Sequence, residues 1–129
     1  MALLDIDTWH WSLVPICEWN RCSHVAASLD GVIISFGGFD GGAIRNDCWE
    51  YVDAEESWLP VTLHAKSQNE DEPEADTAIV ERFGHCACIV NLHNASSGAA
   101  DKRGSGVLVF GGMNAQQDLN DLVFITRKY

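Results

Sequence analysis

The sequence predicts an all-β protein made of two copies of one antiparallel unit. Three observations predict this: short apolar runs recur between Gly, Asp and Asn turn signals, helical periodicity is absent, and one string of residues occurs twice. The first copy runs Arg21-Cys-Ser-His24, Asp30-Gly31, Val32 to Phe36, Gly37-Gly38, Asn46-Asp47, Tyr51 and Trp58. The second runs Arg82-Phe-Gly-His85, Gly106, Val107 to Phe110, Gly111-Gly112, Asn120-Asp121 and Phe124. Gly38 and Asn46 stand eight positions apart, as do Gly112 and Asn120. A spacing kept in both copies marks a true internal repeat, and a repeat outranks local readings.

Residues 1–20 open with Leu3-Leu4 and a turn at Asp5 to Thr8. Trp9, Trp11 and Leu13 then alternate as one apolar face of a strand. A bulky opening strand with no partner before it is expected to pair with a strand later in the sequence or on another chain.

Residues 21–64 are expected to hold four strands. His24 to Leu29 is the first, ended by Asp30-Gly31, and Val32 to Phe36 is the second, apolar enough for both faces to be covered. Gly37-Gly38 ends it, and Phe39 to Arg45 is a loop. Asp47 to Tyr51 is the third strand and Trp58 to Leu63 the fourth. Asn46 and Asp47 are expected to cap a local turn.

Residues 65–81 are polar and acidic, with Glu70, Asp71, Glu72, Glu74 and Asp76 close together and one proline. An acidic surface loop is expected, with docking of a basic partner as the alternative. Residues 82–129 restart the pattern with strands at His85 to Val90, Val107 to Phe110 and Leu122 to Thr126, the first two separated by a loop over 91–105. About 13 more residues separate His85 from Gly111 than separate His24 from Gly37. The aromatic strand around Trp58 has no counterpart in this unit, so three strands are expected there.

The glycine pair after an apolar strand, Tyr51, Trp58 seven positions further on, and the Arg-x-x-His and Asn-Asp elements together resemble the kelch repeat. That resemblance implies β-propeller blades of four antiparallel strands: a complete blade over 21–64, an incomplete one over 82–129, and an outer strand of a neighbouring or closing blade within 1–20. Asp7-Thr8-Trp9 would end an earlier unit, and Ile125 stands where Tyr51 stands. Single-chain rings need roughly four to eight blades, so the ring within this chain is incomplete. The chain is expected to be a fragment, one part of a split propeller, or a self-associating protein whose Trp9 strand completes the open blade of the next copy; three copies of two blades would make six.

Gly37, Gly38, Gly111 and Gly112 are expected to let the chain leave the sheet and to admit a neighbouring ring, with Trp58 the candidate ring. Arg21, His24, Arg82 and His85 are expected to be hydrogen-bonding groups between blades, with contact to a ligand at the channel mouth as the alternative. Together with Phe39, Asp40, Arg45 and Met113 they are the candidate partner-contact residues.

Chemistry is sparse. Cys86 and Cys88 share a strand face while His85 points away, and no Cys-x-x-Cys spacing occurs, so packed thiols are expected rather than a metal site. There is no phosphate-loop element and no carboxylate pair placed for acid–base work, so neither catalysis nor a cofactor is expected. A net charge of -11 argues against partners with phosphate backbones or anionic lipid surfaces. Five cysteines without an export signal point to free thiols and a cytoplasmic location. No apolar run approaches the roughly 20 residues that span a bilayer. The expected function is protein binding through the inter-strand loops; a structural subunit of a larger assembly, or an enzyme with a site at the ring centre, are the alternatives.

Overall fold

A computed structural model describes residues 2–13, 20–62, 79–91 and 105–126. The acidic loop expected over 65–81 lies outside them except for Ile79 to Glu81, and so does nearly all of the loop over 91–105. Among the described residues nine strands follow one another: β1 (Ala2–Asp5), β2 (His10–Leu13), β3 (Val25–Leu29), β4 (Val32–Phe39), β5 (Ile44–Val52), β6 (Ser57–Val61), β7 (Cys86–Asn91), β8 (Ser105–Phe110) and β9 (Leu122–Thr126). They form a two-stranded sheet β1-β2, a four-stranded sheet β3-β4-β5-β6 and a three-stranded sheet β7-β8-β9, each antiparallel and in chain order. The described residues close no ring. This is an incomplete propeller of four-stranded blades.

Alternation along the strands assigns every side chain to one of two faces. On one face of β3–β6 lie Leu29, Ile34, Phe36 and Cys48; Val107, Val109 and Ile125 meet them from β8 and β9, and the seven form the principal core. We call this the forward face of β3–β6, since it looks along the chain onto the backward face of β7–β9. The backward face of β3–β6 carries Tyr51 and Trp58, paired across β5 and β6, with Ile33 and Trp49 beside them. Leu3 of β1 packs on this second cluster. β4 is covered on both faces at Ile34, Ser35 and Phe36, all nearly inaccessible, as expected of a strand with apolar residues on both faces.

The opening strand departs from expectation. β2 pairs with β1, which precedes it, rather than with a later strand. The two form a hairpin in which Asp5 and His10 are the last paired residues and enclose a four-residue turn. Asp5 Oδ1 accepts the N–H groups of Asp7 and Thr8 at 3.0 and 2.8 Å and so closes the turn. The β5–β6 turn has the same length between Val52 and Ser57. Both turns end on a left-handed residue, Trp9 at φ 55° and Glu56 at φ 48°. One register step inward, Leu4 faces Trp11 as Tyr51 faces Trp58. Trp11, not Trp9, therefore holds the place of Trp58, and the hairpin is built like the outer half of a blade.

Candidate functional rim

The strand order brings four segments to one edge of the sheets: Arg21 to His24 before β3, Phe39 to Arg45 spanning the end of β4 and the start of β5, Arg82 to His85 before β7, and Gly111 to Asn120 between β8 and β9. All eight candidate partner-contact residues lie on these segments. Isolated antiparallel bridges tie each entry segment to a loop, Cys22 to Phe39 and Phe83 to Met113.

Two bidentate ion pairs brace this edge. Arg21 donates to Asp47 Oδ1 and Oδ2 at 2.6 and 3.0 Å and to the Gly37 carbonyl at 3.0 Å. Arg82 donates to Asp121 Oδ1 and Oδ2 at 2.7 and 2.8 Å and to the Gly111 carbonyl at 3.1 Å. The planar guanidinium fork matches a carboxylate and leaves a third direction for the carbonyl, which ammonium groups do not reproduce. Arg82 is fully buried. Asp121 is held below the usual carboxylate range by the hydrogen bonds from Arg82. At Asp47 burial pushes the carboxyl up, but hydrogen bonds from Arg21 and from Trp49 Nε1 outweigh it, and the group is lowered.

Asp47 and Asp121 were the residues that sequence reasoning left out of the candidate set. Asp47 does not cap a local turn; it answers Arg21. Asn46 also reaches far, its side-chain amide donating to the Ile79 carbonyl at 2.8 Å. The available signal was that both units keep an Arg before the first strand and an Asn-Asp pair eight and nine positions after the second glycine.

The glycine pairs serve the same edge. Gly37 and Gly38 have φ of 64° and 91°, and Gly111 and Gly112 have 66° and 88°. A Cβ on Gly38 would lie 2.6 Å from the Cys22 carbonyl oxygen, and one on Gly112 would lie 2.8 Å from that of Phe83. The entry segment thus crosses directly over the second glycine of each pair. The expected ring, Trp58, is elsewhere, packed on Tyr51 at a centroid distance of 5.7 Å. The ring at Gly37 belongs to His85, which an added Cβ would meet at 2.8 Å.

His85 and Arg82 join the two sheets. The Gly38 N–H donates to the Arg82 carbonyl at 2.8 Å, the Arg82 N–H to that of Arg45 at 3.1 Å, and the Gly84 N–H to that of Ser23 at 3.0 Å. His85 Nε2 lies 3.2 Å from the Phe36 carbonyl, which can only accept, so Nε2 is the donor. Its ring stands edge-on to Phe36 at 5.5 Å. Burial lowers the pKa of His85, and Arg82 and His24 add to this against the bond to Phe36. His24 is likewise lowered by burial and then by Arg21.

What the edge offers to solvent is narrower than the eight candidates. Arg82 and His85 are buried, and Arg21 and His24 are half-buried, whereas Phe39, Arg45 and Met113 are exposed. Phe39 and Met113 occupy the same place in the repeat, just after the glycine pair, and are 37% and 43% exposed. Behind each stands a side-chain-capped turn: Asp40 Oδ1 accepts the N–H groups of Gly42 and Ala43, and Asn114 Oδ1 accepts those of Gln116 and Gln117. Asp40 also pairs with Arg45 and is held far below the usual carboxylate range, first by those backbone bonds.

The thiols differ from expectation. Cys48 is buried, and burial pushes it up to about 12, but Cys22, Cys86 and Cys88 are exposed rather than packed. No group of three or more His, Cys, Asp or Glu side chains among the described residues is placed to hold a metal ion. No helix among them is long and apolar enough to cross a membrane.

The fold and rim define a protein of propeller blades. Residues 20–62 match the family model described as the Kelch motif, so the four-stranded sheet with its entry segment is a kelch unit. No match was found among curated proteins.

Proposed function

We propose that this chain is a protein-interaction scaffold that binds a partner protein through the rim formed by the entry segments and the β4–β5 and β8–β9 loops. The observation that carries the reading is the paired exposure of Phe39 and Met113. Apolar side chains at equivalent repeat positions stand in solvent, each beside a capped turn at an edge braced by an ion pair whose arginine side chain is buried. Recognition residues on short loops held by a rigid sheet are the usual arrangement for binding. Arg45 and Asp40 give the first loop a polar border around its apolar centre, as interface patches have. No catalytic role and a cytoplasmic setting belong to the same reading.

Affinity capture with three forms of the chain tests it: the natural chain, a Phe39→Asp/Met113→Asp variant, and a control altered at the opposite edge, Asp53→Ala/Glu55→Ala. The proposal expects partners held by the natural chain and the control and lost from the rim variant. Equal capture by all three would overturn it. A second reading, a structural part of a larger propeller, is favoured by the exposed apolar sheet face around Phe110, Leu122 and Phe124.

A further inference from the structure

Both sheet junctions in this molecule have the same polarity. The forward face of β3–β6 meets the backward face of β7–β9 through Phe36, Leu29, Val107 and Val109. The forward face of the β1–β2 hairpin, carrying Leu3, meets the backward face of β3–β6 at Tyr51 and Trp58. In neither junction do two like faces meet. Two faces are left without a facing sheet among the described residues, and they are of opposite kind. β7–β9 leaves a forward face on which register aligns Cys86 with Phe110 and Leu122, and Cys88 with Leu108 and Phe124. Phe110, Leu122 and Phe124 there are 50%, 63% and 39% exposed. The hairpin leaves a backward face with Leu4, Trp11 and Leu13, the last two 63% and 86% exposed.

We propose that the chain associates head to tail with a second copy of itself, the Trp11 face of one hairpin covering the Phe110–Leu122–Phe124 face of the next copy's β7–β9 sheet. Three observations select a second copy as the occupant. The required complement, a backward face bearing a tryptophan at the Trp58 register position, is present on the same chain. The contact continues the order of the two junctions already formed. Neither face carries a charged side chain, so two molecules of net charge -11 meet there without like charges in contact. Such a contact is heterologous: it joins different surfaces and leaves one of each free at the ends of any assembly that does not close into a ring. It stacks faces and needs no strand exchange, and it is separate from the rim proposed to bind partners.

The test uses two full-length variants. Trp11→Glu/Leu13→Glu spoils the hairpin face, and Phe110→Glu/Leu122→Glu spoils the sheet face; all four positions are exposed. Sedimentation of the natural chain is expected to show mass rising with concentration. Each variant alone is expected to be monomeric. Mixed one to one, they are expected to form a dimer and nothing larger, since only one good face of each kind is present. A monomeric natural chain would overturn the proposal. So would association lost in only one variant, which marks contact between like faces, or a mixture that stays monomeric. Thiol labelling serves where a variant fails to fold. In the natural chain, labelling of Cys86 and Cys88 should slow several-fold as concentration rises while that of Cys22 does not, and parallel behaviour of the three would sink the idea.

Discussion

Arg82 places a fully buried guanidinium against an Asp121 carboxylate whose side chain is 46% exposed. The cation is thus committed to the interior while its anion keeps half of its hydration. Arg21 and Asp47 repeat the geometry one unit earlier, with side-chain exposures of 5% and 37%. Removing the anion should be the damaging change, because it leaves a buried cation with only carbonyl partners. Asp121→Ala is expected to cost about 3 kcal/mol, the low end for breaking a buried pair, because solvent already screens one side. Arg45→Ala, which removes the exposed arginine from its pair with Asp40 and leaves the Asp40-capped turn in place, should leave the urea midpoint nearly unchanged. Equal midpoints for the two variants would contradict this account.

Arg82→Lys should recover little of what is lost on removing the arginine. The ammonium keeps the charge but cannot serve both carboxylate oxygens and the Gly111 carbonyl in one plane. Urea unfolding of Arg82→Lys beside Arg82→Met is the check, and a lysine variant as stable as the natural chain would show that charge alone suffices.

Stability should fall on mild acidification. His85 and His24 both have folded pKa values below their ordinary 6.5, so the unfolded chain binds protons first. Their contribution is complete above about pH 6.5 and is lost as pH falls from there through the folded values. The carboxylates of Asp47 and Asp121 are depressed as well, and theirs is lost only below their ordinary 3.8. Two separate losses are therefore expected in thermal unfolding followed against pH. His85→Gln should reduce the first and spare the second; an unaltered slope between pH 7 and 5 would remove His85 from the explanation.

The glycines should divide by what lies above them. Gly38→Ala forces a Cβ against the Cys22 carbonyl as well as a left-handed alanine, and a loss of about 2–4 kcal/mol is expected. Gly41 has φ 97° but open space around it, so Gly41→Ala should cost only about 1 kcal/mol of backbone strain. Comparable losses at both positions would mean that the crossing entry segment yields freely.

Two tryptophans at matched register positions should respond oppositely. Trp58 is 9% exposed and Trp11 63% exposed. Trp58→Ala should lose about 3–5 kcal/mol, and Trp11→Ala in dilute solution should lose almost nothing. A large thermal shift for Trp11→Ala in the monomer would show that the hairpin is anchored through more than Leu3.

The repeated string located most strands because it carries both the apolar period and the turn residues. Leu122 to Thr126 falls where the alternation puts it. The β4–β5 loop is shorter than the expected Phe39 to Arg45, since the strands continue past the glycine pair to Phe39 and resume at Ile44. That extension follows from the register shift between Phe36 and Gly38, which re-pairs the chain beyond the kink. β1 was not legible: Leu3 and Leu4 are too few to show a period, and only the hairpin with β2 makes them a strand. The partners of Arg21 and Arg82 were hidden for another reason. Separations of 26 and 39 residues carry no local signature, and an aspartate beside an asparagine fits a turn equally well.

The bonds from Gly38, Arg82 and Gly84 have a consequence for dissecting the molecule. They tie the edge of one sheet with the segment that enters the next, so the unit that folds is offset from the unit that repeats. A cut just before Arg82 would leave β3–β6 with the Phe36 and Arg45 carbonyls and the Gly38 N–H bare at an open edge. A cassette for transplantation or permutation is better taken from Arg21 to His85, so that the sheet keeps both the segment that enters it and the segment that fastens it to the next.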